Sequence, residues 1–121
     1  MRRRVVVAAA GALTVPALFA AALEPRIATV YLSRGLVSFR SILDFEEYET
    51  PTANFLRGML RVADLPEVAA IAAPRRIVLA GSVDGRGAPM NAADVRAIYA
   101  GVANVEVRAE GQWDLPALAA L

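Results

Sequence analysis

At 121 residues the chain has the size of one small domain with a single core, too short for two. Its thirteen basic and twelve acidic residues nearly cancel, and beyond the first few positions the arginines stand among acidic neighbours, so composition implies no nucleic-acid partner. Histidine and cysteine are both absent, which excludes disulfides, ordinary Cys/His zinc sites and imidazole-dependent catalysis, while hydrophobic residues reach 57% and mean hydropathy +0.45.

The first segment, MRRRVVVAAAGALTVPALFAAA, admits two readings. Three arginines, an apolar run and small residues at Ala20, Ala21 and Ala22 follow the grammar of a secretory signal, so residues 1–22 are one candidate for a signal or membrane anchor. Pro16 and Gly11 make a poor uniform span, and a membrane location is implied only if residues 1–22 are an anchor. The rival reading is a buried strand over Arg4–Ala8, a tight turn at Ala9–Leu13, and a helix over Thr14–Glu24 with Thr14 as N-cap and Pro16 in the first turn. Ile27–Leu32 then supplies a second apolar strand, completing a βαβ unit within a single domain over residues 1–121.

From Arg34 to Arg61 the pattern predicts a short helix, a loop and a second short helix near Thr52–Leu60. The acidic cluster Glu46, Glu47 and Glu49 reads as a solvated face, and no EF-hand spacing occurs. Asp64 caps a predicted helix running to about Ala72, with Pro66 in its first turn and Pro74 closing it. Arg76–Ala80 is the next strand, and Gly81–Gly87 a loop at its carboxyl end, where open α/β sheets take ligands. Asn91 caps a further helix that Gly101 is placed to end. Val102–Ala109 reads as an edge strand with Val105 and Val107 alternating with Glu106 and Arg108, and Asp114–Leu121 as a closing helix. The alternation predicts an α/β fold, a parallel sheet of about four strands with helices on both faces.

In this order the elements resemble the C-terminal half of an α/β-hydrolase, of the acetyl xylan esterase and prolyl-oligopeptidase-like group. The residues that carry the resemblance are Ala17–Ile27 (ALFAAALEPRI), Asp64–Val68 (DLPEV), and Ala73–Arg76 with the strand and loop that follow. The resemblance implies a G-x-S-x-G elbow after the first strand, an acid after the Arg76–Ala80 strand and a histidine after the last strand. Gly11 stands in the nucleophile's place, Asp84 in the acid's, and Glu110-Gly111-Gln112-Trp113 where the histidine belongs, with Gln112 nearest. No catalytic residue is therefore assigned, and neither a cofactor nor a metal is implied. Ser33, Ser38, Ser41 and Ser82 read as loop and cap residues, and Trp113 as a packing residue beside the last helix.

The expectation is a non-catalytic, shortened hydrolase-like domain with a structural or binding role. In the family the Arg4–Ala8 strand lies mid-sheet, so its open flank here calls for a partner: a missing N-terminal half, another domain, or a second copy. The alternatives are a small exported or membrane-anchored binding module, and a residual esterase in which Asp84 pairs with Glu110 to activate water.

Overall fold

The computed structural model describes residues 5–43, 63–73 and 75–121. The predicted helix near Thr52–Leu60, the Glu46, Glu47, Glu49 cluster and Pro74 lie outside them. The elements are β1 (Val5–Ala10), a 3-10 turn (Gly11–Leu13), α1 (Thr14–Leu23), β2 (Ile27–Ser33), α2 (Phe39–Leu43), α3 (Leu65–Ile71), β3 (Arg76–Ala80), α4 (Ala92–Ile98), β4 (Val105–Arg108) and α5 (Leu115–Ala119). The four strands form one all-parallel sheet in the order β1-β2-β3-β4, which is chain order. The α/β parallel sheet read from the sequence is what the chain forms.

Strand alternation sorts the side chains between two unequal layers. Val7 and Ala9 of β1, Val30 and Leu32 of β2, Ile77 and Leu79 of β3, and Val105 and Val107 of β4 share one face, packed on Leu18 and Ala21 of α1, Leu65 and Val68 of α3, and Val95 of α4. On the other face Val6, Ala8, Tyr31, Val78 and Ala80 cluster with Leu118 and Leu121 of the C-terminal segment. Helices lie on both faces as expected, but among the described residues one face carries a full layer and the other a single five-residue helix. Beside that helix the thin face is finished by ions: Arg76 and Arg108 both bond Glu106, at 2.8 and 3.1 Å, and the Arg108 guanidinium lies 5.9 Å from the centre of the Tyr31 ring.

The cap signals are realised where they are local. Asp64 and Glu67 form a reciprocal capping box on α3, Asn91 accepts from the Asp94 amide at 2.8 Å, and Asp114 accepts from the Ala117 amide at 2.8 Å. Arg75 closes the far end of α1, its guanidinium donating to the carbonyls of Ala21 and Ala22 at 2.7 and 3.2 Å.

Several boundaries differ from the sequence reading, each for a physical reason. β1 runs to Ala10 rather than stopping at Ala8, because Ala9 and Ala10 still find partners in Leu32 and Ser33 of β2. Thr14 is the first helical residue and not the N-cap; its buried hydroxyl donates to the Gly11 carbonyl at 2.8 Å. α4 stops at Ile98, before Gly101, and the Val102 amide is taken by a turn to the Tyr99 carbonyl, which delays β4 from Val102 to Val105. Trp113, read as a packing residue beside the last helix, leaves 44% of its surface exposed.

Tyr99, just past α4, is drawn inward and its hydroxyl donates to the Val37 carbonyl at 2.8 Å. Burial, reinforced by the carboxylates of Asp64 and Glu67, pushes the phenol well above its ordinary pKa, so it stays a neutral donor. Tyr99→Phe is expected to lose about 1–2 kcal/mol by stranding a buried carbonyl, read as a lower urea midpoint at unchanged slope.

Candidate functional site

The carboxyl ends of the strands converge on a cleft of about 700 Å³. Ala10 and Gly11 line it from the end of β1, Ser33 and Arg34 from β2, and Gly111, Gln112 and Trp113 from the loop after β4. Gly11 turns the chain from strand to 3-10 turn with φ of 60°, a left-handed conformation that favours glycine. Arg34 holds φ of 53°, the one non-glycine residue with positive φ among the described residues, anchored by its amide bond of 2.8 Å to the Ala80 carbonyl.

The walls are stitched by polar contacts across the strand ends. The Ser33 hydroxyl donates to the Gly111 carbonyl, and the Tyr31 hydroxyl to the Gln112 carbonyl at 3.1 Å. Behind them the Gly81 amide donates to the Arg108 carbonyl at 3.0 Å. The Gly81 and Gly111 backbones are so close that a Cβ on Gly81 would lie 2.7 Å from the Gly111 nitrogen.

Two of the three positions singled out in the sequence, Gly11 and Gln112, therefore share a cleft, while Asp84 does not line it. Asp84 sits in the loop after β3, where its Oδ1 accepts the amides of Arg86 and Ala88 at 2.8 and 3.0 Å, as a loop-forming aspartate does. It borders a separate hollow of about 670 Å³ between α2, α3 and α4, shared with Asp64, Glu67, Asp94 and Arg40. Glu110 lines neither cavity. The second hollow has no sequence signature, since its acids come from the starts of two helices and a loop that are adjacent only after folding.

Among the described residues that line it, the cleft offers one hydroxyl and no base. Ser33 is buried, its proton already directed at a backbone carbonyl, and no carboxylate stands among the lining residues to accept it. Ser38 acts as the cap of α2, its Oγ accepting the Ser41 amide at 3.2 Å, and Ser82 is buried in the β3 loop. Among the described residues no cluster of three or more His, Cys, Asp or Glu is arranged to hold a metal, and no helix is long and apolar enough to cross a membrane. Set against protein-family models, curated proteins and solved structures, the chain matches none.

Proposed function

We propose that the protein is a non-catalytic α/β-hydrolase-like domain that serves a structural or binding role through the open edge of β1. The observation that carries this reading is the cleft at the strand ends: where a hydrolase needs a nucleophile and a base it has Gly11 and Gln112, and its one hydroxyl is unactivated. Loss of either triad member lowers turnover by about a millionfold in a well-studied protease, and here Gly11 and Gln112 stand where the serine and histidine would be.

Binding is favoured over pure scaffolding by the character of the sheet's first edge. From Val5 to Leu23 there is no charged residue, and this stretch forms both the edge strand and the helix beside it. Leu13 and Leu23 are 68% and 82% exposed, so the apolar character reaches the surface.

The test is hydrolysis of an aryl acetate by the purified protein. The expected rate is that of buffer alone. Turnover that rises with protein concentration and disappears in Ser33→Ala would replace this reading with a residual esterase, and turnover lost in Asp84→Asn would assign the carboxylate instead.

A further inference from the structure

The two edges of the sheet are built differently. At β4 the strand carries Glu106 and Arg108, and Arg96 of α4 reaches across to donate to the Val107 carbonyl at 3.3 Å. Charges and a covering side chain are the usual means by which a strand edge is kept from pairing. β1 has neither: its sequence is VVVAAA, without charge or proline, and among the described residues it is hydrogen-bonded to β2 alone. One edge is blunted, the other left able to accept a strand.

The size order within β1 suits one occupant in particular. Val7 and Ala9 belong to the helix-covered face and Val6 and Ala8 to the thin face, and strand alternation puts exposed Val5 on the side of Val7. If a second β1 runs antiparallel about a two-fold axis normal to the sheet, like faces join, and residues opposite one another belong to the same face. With the axis at Val7, Val5 faces the partner's Ala9, Val6 faces the partner's Ala8, and Val7 faces the partner's Val7. Each large side chain away from the axis meets a small one, a gradient that complements itself only when reversed.

The helix layer closes on the same axis. α1 packs on both β1 and β2. With strands about 4.8 Å apart, two such helices centred over their own strand pairs lie about 10 Å from each other, within the distance at which helices pack. The alanines of α1 that are not sealed in the core, half-buried Ala17 and Ala22 and exposed Ala20, let that approach occur without a clash of long side chains. Strand pairing alone buries less than the roughly 1,200 Å² of a stable interface, and the α1 contact supplies a second element.

We infer that the partner at the β1 edge is a second copy of this chain, paired antiparallel about a two-fold axis through Val7 to give one continuous eight-stranded sheet. The inference rests on the binding role proposed for that edge, and adds the identity and orientation of the partner.

Sedimentation equilibrium on the full chain is the first test. A single species of twice the 12.8 kDa chain mass is expected at micromolar concentration. A 12.8 kDa monomer at every concentration, or an open-ended series of larger species, overturns the inference. The second test uses the absence of native cysteine. Across the axis Val7→Cys faces itself and is expected to form a disulfide-linked dimer on mild oxidation at least tenfold faster than Val5→Cys, which faces the partner's Ala9. Equal cross-linking of the two variants indicates parallel or disordered association and overturns the stated geometry.

A third measurement separates the alternative occupant. An intact mass well above 12.8 kDa for the protein from its source organism, with β1 amides protected in the monomer, assigns the edge to a preceding segment of the same chain and overturns the second copy. Aryl acetate turnover with an intact dimer would instead defeat the non-catalytic reading and leave the interface standing.

Discussion

Asp64→Ala is expected to remove about 3 kcal/mol of stability, a large share of what a domain of this size possesses. Asp64 is 8% exposed and joins the starts of two helices. Its Oδ1 accepts the Leu65 amide at 2.7 Å at the head of α3, and Glu67 returns a bond to the Asp64 amide at 3.1 Å. The same carboxylate accepts the Phe39 amide at 2.6 Å and the Arg40 amide at 3.2 Å, the first two residues of α2. Loss of an N-cap costs about 1 kcal/mol, and each amide left without its charged acceptor adds about 1 more. Asp64→Asn keeps an acceptor oxygen and is expected to lose about half as much. Urea unfolding of both variants checks this; equal losses would mean that charge and not the second helix start dominates.

Gly81→Ala is the second large effect, also about 3 kcal/mol, and it acts on the cleft directly. Gly81 has φ of 61°, which costs an alanine roughly 1–2 kcal/mol. The added Cβ would further stand 2.7 Å from the Gly111 nitrogen and 3.0 Å from its Cα, both backbone atoms with nowhere to rotate. Overpacking of this kind adds about 1–3 kcal/mol. Gly11→Ala is the internal control, because Gly11 has nearly the same φ, 60°, and no atom within 4 Å of the added Cβ. It is expected to lose only the conformational part, about 1–2 kcal/mol. The single tryptophan, Trp113, lies on the loop that Gly81→Ala displaces, so its emission should shift in that variant and remain native in Gly11→Ala. If both glycine variants lose the same stability and keep the same emission, the close approach of the two loops does not constrain the cleft.

What the sequence makes legible is what depends on neighbours in the chain. Arg76–Ala80 is a strand because a short apolar run between turn residues has few alternatives, and Asp64 and Asn91 cap helices because a short polar acceptor precedes free amides. Thr14 shows the limit of the same rule: an N-cap residue by type, it is overruled by the 3-10 turn, which places its hydroxyl on the Gly11 carbonyl. β4 shortens because Val102, apolar enough for a strand, gives its amide to a turn back to Tyr99.

The candidate site depends on residues far apart in the chain and is correspondingly less legible. That Gly11 and Gln112 share a cleft follows from the parallel sheet, which brings every carboxyl end to one side. That Asp84 turns away follows from its two amide bonds within its own loop, which no spacing in the sequence distinguishes from an acid held toward a neighbour. The inequality of the two sheet edges needed Arg96 and Val107, eleven residues apart, to be seen in contact.

Strand order that repeats chain order has a consequence for assembly during synthesis. Each new strand adds to the edge left by the one before, and none has to be threaded between two already paired. The growing margin of the sheet is always the C-terminal one, and it is closed only when β4 and the Arg96 contact arrive. Within these four strands the β1 margin is fixed once β2 has paired with it and is unchanged by the arrival of β3 and β4, so whatever lies along it is settled independently of the rest of the core.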